Sequence, residues 1–89
     1  MRAVITVVGQ DKIGIIAEVS RVLAENSINI LDISQTIMQD MFTMIMLVDI
    51  KNSGVSFKDI SDTLRKLGDT LCLSIRIQHE DLFHSMHRI

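Results

Sequence analysis

Phe42-Thr43-Met44-Ile45-Met46-Leu47-Val48-Asp49-Ile50 is apolar on both of its faces. Phe42, Met44, Met46, Val48 and Ile50 share one parity of a strand. Ile45 and Leu47 hold the middle of the other, with Thr43 and Asp49 at its ends. A strand greasy on both sides belongs inside a sheet, with something covering each face. A tight turn near Gln39-Asp40 precedes it, and Ile28 to Met38 before that turn reads as a second strand. Leu31, Ile33 and Ile37 there share a parity with Gln35, while Ile30, Asp32, Ser34, Thr36 and Met38 take the other. Such partial alternation suits an edge strand with one wetter face.

The flanks repeat one plan. Upstream, Ala3 to Val8 is a strand whose Val4, Ile5, Val7 and Val8 are β-branched and apolar on both faces, and Gly9 ends it. Asp11 is placed to cap a following helix. Ile15, Ile16, Val19, Val22 and Leu23 recur at helical spacing until Asn26-Ser27 stops them. Downstream, Lys51-Asn52-Ser53-Gly54 is a loop. Ser56 and Asp59 resemble a capping box, with Val55 and Ile60 where a hydrophobic staple sits. Phe57, Ile60, Leu64 and Leu67 form a helical stripe, and Gly68 is the expected C-terminal glycine. Leu71 to His79 alternates, with Leu71, Leu73, Ile75 and Ile77 inward and Cys72, Ser74, Arg76 and Gln78 outward.

The element order is therefore β-α-β-β-α-β, an α+β, ferredoxin-like sandwich. Right-handed crossovers put both helices on one face of a four-stranded antiparallel sheet in the order 4-1-3-2. Residues 1–80 form this domain, and residues 81–89 add a C-terminal tail that reads as a short helix with Leu82, Phe83, Met86 and Ile89 on its apolar side. Two helices cover one sheet face only. The Met-bearing face around Met44 and Met46 is the expected assembly surface, and a second copy is its simplest cover, which makes the chain a homodimer or larger homo-oligomer.

Composition narrows the function. A chain of 89 residues has room for one domain. Its 47% hydrophobic content and mean hydropathy of +0.32 exclude disorder and favour self-association. With no Trp or Tyr, three Phe, and a net charge of −2, it offers neither stacking platform nor basic footprint for nucleic acid. Cys72 is a lone cysteine, and no apolar run is long enough for a signal core or a membrane span. A cytoplasmic location follows. No nucleophile–base pair or paired acid–base set is present, so an enzyme is not expected, and no cofactor is implied. The first loop lacks a metal-carrier Cys pair, and its Lys12 is a poor substitute for a phosphate-holding Arg. His79, His84 and His87 offer a weak metal alternative against plain solvated histidines.

The strongest local signal is the first loop with the start of the second strand. Gly14 falls in the first helical turn, where Gly costs about 1 kcal/mol relative to Ala unless a ligand or backbone must come close. The free N–H groups of that helix end suit a carboxylate, and the Asn29 amide, inside Ile28-Asn29-Ile30-Leu31, can serve both ends of an amino acid. Tight helix–sheet packing at Gly14 and loop anchoring by Asn29 explain the same residues, and the physics leaves both readings open.

Val8-Gly9-Gln10-Asp11-Lys12-Ile13-Gly14-Ile15-Ile16-Ala17, followed by Asn26-Ser27-Ile28-Asn29-Ile30, resembles the ACT domain family, most closely small stand-alone members related to glycine-cleavage regulators. The ending Asp81-Leu82-Phe83-His84-Ser85-Met86-His87-Arg88-Ile89 is similar to that of a small ACT group. The resemblance implies regulatory binding of an amino acid or related metabolite between ACT domains. Asp11 and Asn29 would contact its polar groups, and the backbone of Ile13, Gly14 and Ile15 would receive its carboxylate. Many members have Pro where this chain has Ile13, so φ is less pre-set here. Output would pass through the oligomer or a regulated partner protein. A ligand-free interaction module docking on a larger enzyme or regulator is the alternative.

Overall fold

The computed structural model describes residues 1–81. Its elements are β1 (Arg2–Gln10), α1 (Ile15–Glu25), β2 (Asn29–Met38), β3 (Met41–Asp49), α2 (Phe57–Leu71) and β4 (Leu73–His79). The strands form one antiparallel sheet in the order β2-β3-β1-β4, which is the expected order read from the other edge. The fold is the ferredoxin-like one that the strand chemistry predicts. The tail from 82 to 89, with His84 and His87, lies outside the described residues.

Both helices pack on one face. Ala3, Ile5 and Val7 of β1, Phe42, Met44, Met46 and Val48 of β3, and Leu73, Ile75 and Ile77 of β4 meet Ile15, Val19, Val22, Leu23, Ile60 and Leu64 in a single core. The expectation that Met44 and Met46 face an assembly partner is therefore corrected. Both are fully buried under the helices, and the opposite face carries Val8, Ile45 and Met41 instead. Parity alone separates the two sets of side chains but does not say which set the helices cover.

Four of the boundaries that differ do so for a local reason. β1 runs through Gly9, whose missing side chain makes room for Leu73 of the neighbouring strand. Asp11 caps nothing. Gly14, with φ +92°, is the N-cap of α1 rather than a first-turn residue, and no side chain caps that helix. Gly68 does not end α2. The helix continues to Leu71, and Cys72 takes the left-handed cap position that Gly68 was expected to fill. β4 consequently starts at Leu73. The Ser56 hydroxyl does accept the Asp59 N–H at 3.2 Å, as the capping pattern predicts.

α2 lies along β4, and α1 reaches β2 only narrowly, so β2 is exposed along nearly its whole length. A bulge between Ile30 and Asp32 shifts its register, turning Ile30 onto the core side while Asp32 remains on the open face. The turn to β3 is a two-residue hairpin with positive φ at Gln39 and Asp40, the geometry that matches strand twist.

Candidate functional site

The loop from Asp11 to Gly14 leaves the sheet where β1, the β2–β3 hairpin and the start of α1 converge. The Asp11 N–H donates to the Asp40 carbonyl at 2.7 Å and ties the loop to the hairpin tip. The Lys12 ammonium donates to the Leu71 carbonyl at the end of α2, whose last turn holds no basic residue. Lys12 thus supplies the cation that the negative end of α2 lacks. Replacing it by Met should cost about 0.5–1 kcal/mol, read as a lower urea midpoint at unchanged slope. An unchanged midpoint would mean that the bond has no net value.

Gly14 turns the chain into α1 through a left-handed conformation that costs an L-residue about 1–2 kcal/mol. A Cβ there would meet nothing within 4 Å, so backbone conformation, not close packing, requires the glycine. The Glu18 N–H returns to the Gly14 carbonyl, and no side chain caps the N–H groups of the first turn. They open towards a cleft of about 320 Å³ lined by Asp11, Lys12, Gly14, Ile15, Ile16, Ala17, Gln35, Ile37 and Phe42. A carboxylate fits at the helix end, a cation fits beside the Asp11 carboxylate, and Ile37 with Phe42 forms an apolar wall.

Of the residues singled out in the sequence, Asp11, Gly14 and Ile15 line this cleft. Ile13 is fully exposed on the same loop. Asn29 lies elsewhere. It pairs with Asp49 at the far end of β2, whereas Met38, at the near end, pairs with Met41 beside Gln10. Nine residues of strand separate the two ends, about 30 Å, so one chain does not present Asp11 and Asn29 to one small molecule. At the far end Asp49 accepts the Lys51 N–H at 3.0 Å, which holds its carboxyl below the usual range. Gln35 also lines the cleft and was not singled out in the sequence. Its signal was a lone polar side chain in the parity of Leu31, Ile33 and Ile37. His79 stacks on Phe57 with ring centroids 4.1 Å apart, and no metal-type cluster of three or more ligands occurs among the described residues.

The chain has a ferredoxin-like fold with a loop-framed cleft at one end of its sheet. The sequence profile of the ACT domain matches residues 2–78, and the chain belongs to the ACT domain family. It is 56% identical over 88 residues to a UPF0237 protein of Methanocaldococcus jannaschii, covering 99% of this chain and 98% of that one. The solved ACT domain protein from Streptococcus pneumoniae superposes with a TM-score of 0.82 at 42% identity over 93% of each chain. A candidate glycine cleavage system transcriptional repressor superposes with a TM-score of 0.73 at 32% identity, over 86% of this chain and 44% of its own. Membership places the chain among regulatory ligand-binding modules and not among enzymes. No helix among the described residues is long and apolar enough to cross a membrane.

Proposed function

We propose that this chain is a cytoplasmic regulatory module that binds a free amino acid or similar small metabolite and transmits binding through its homo-oligomer or a regulated partner protein. The observation that carries this reading is the uncapped first turn of α1, which opens into a cleft beside the Asp11 carboxylate. Helix N–H groups receive the ligand carboxylate, Asp11 receives its ammonium, and Ile37 and Phe42 receive an apolar side chain. Asn29 joins from a second copy. β2 is an unprotected edge with Leu31, Ile33, Ile37 and Met38 exposed and Asp32 as its lone charge. Two β2 strands paired antiparallel about a two-fold axis put Asn29 of one chain opposite Met38 of the other, next to that chain's first loop.

Calorimetric titration with each of the twenty amino acids tests the reading. At least one should bind, and Asp11→Ala and Asn29→Ala should each weaken it by about 1–3 kcal/mol. An unchanged affinity in both variants would move the ligand away from this cleft. Silence against all twenty would favour the ligand-free interaction module, for which the exposed β2 edge is the docking strand.

A further inference from the structure

The register of β2 on β3 fixes what a molecule held at the first turn of α1 meets next. Ile33 pairs with Met46, Gln35 with Met44 and Ile37 with Phe42, and those three partners lie in the core under the helices. Opposed residues share a face, so Ile33, Gln35 and Ile37 stand on the helix side of the sheet, about 7 Å apart in file. α1 reaches β2 only narrowly and leaves this file uncovered: Ile33 is 41% and Ile37 54% exposed, and Gln35 between them is exposed as well. Gln35 is the one member of the file whose side chain can form hydrogen bonds. Its carboxamide makes none among the described residues.

We infer, on the reading that the cleft takes a free amino acid, that its ligand carries an uncharged side-chain carboxamide and that Gln35 is the residue that selects it. The charges of the cleft are already engaged. Its lining holds two charged side chains, Asp11 and Lys12. The Lys12 ammonium donates to the Leu71 carbonyl, Asp11 takes the ligand's ammonium, and the helix end takes its carboxylate. An acidic ligand side chain therefore adds a second carboxylate beside Asp11 with no cation to answer it. A basic one sets its charge against Ile37 and Phe42. An aliphatic one suits those two walls but shuts the Gln35 carboxamide away from water with no partner. A carboxamide meets every condition. The two methylenes of glutamine lie on Ile37, and its amide exchanges two hydrogen bonds with the Gln35 amide, since each donates and accepts.

Calorimetric titration of the full chain with glutamine, glutamate, leucine and lysine tests this, on the parent and on Gln35→Leu. Gln35 is exposed and outside the core, so the variant should fold, and circular dichroism checks that it does. Glutamine should bind the parent about tenfold or more tighter than each of the other three. Gln35→Leu should lose about tenfold in glutamine affinity and hold or gain affinity for leucine. Glutamine no tighter than leucine in the parent would overturn the inference, and so would a preference that survives Gln35→Leu. In both cases an amino acid still binds and the ligand reading stands. Binding confined to glutamate or lysine would overturn the inference in the same way. Silence against all twenty amino acids would remove the ligand reading itself, and the selection by Gln35 with it.

Discussion

Met46→Asp should leave the chain largely unfolded at 25 °C. Met46 is 0% exposed, pairs with Ile5 on one side and Ile33 on the other, and lies under the helices. Losing its burial costs about 2–3 kcal/mol, and placing a carboxyl there without a partner costs several more, whether it stays charged or is forced neutral. The whole stability of an 89-residue domain is about 5–13 kcal/mol, so little is left. Far-UV circular dichroism with a thermal melt reads the outcome. Ile45→Asp, one residue away and 40% exposed, should keep the fold and melt close to the parent. A cooperative melt of Met46→Asp within a few degrees of the parent would mean that the helices cover the other face.

Gly68→Ala should lower stability by about 1–2 kcal/mol, even though Ala is the better helix former by about 1 kcal/mol. A Cβ on Gly68 would stand 2.6 Å from the Leu73 carbonyl oxygen and 3.3 Å from Ile75 Cγ1. The first neighbour is backbone bound into the sheet, so α2 must lift from β4 to admit a methyl group. The melting temperature should fall by about 5–15 °C. Gly54→Ala is the control. Nothing lies within 4 Å of a Cβ there and φ is not in the left-handed range, so its melting temperature should hold or rise slightly. Equal behaviour of the two variants would show that the helix–strand contact at Gly68 is looser than it stands.

Strand and helix identity, element order and sheet order were legible in the sequence because side-chain periodicity is local. Phe42 to Ile50 shows a two-sided central strand, and the stripe at Phe57, Ile60, Leu64 and Leu67 a one-sided helix, with no knowledge of any neighbour. The Asp11–Gly14 loop stood out as a candidate for a similar reason: a glycine at the head of a helix and a carboxylate three residues before it are written close together in the sequence. Tertiary structure decided what depends on contacts between distant residues. Which parity of β3 is buried follows from the side on which both crossovers pass, so Met44 and Met46 became core and Ile45 became surface. Gly68 is a glycine because Leu73 and Ile75 press on it, not because α2 ends there. Lys12 serves the far end of α2, 59 residues away. Asn29 and Asp11 are separated because β2 runs parallel to β1, which carries its first residue to the opposite end of the sheet from the loop that follows β1. Periodicity says what a residue's neighbours in sequence do, whereas burial, close approach and separation belong to the way the whole chain closes on itself.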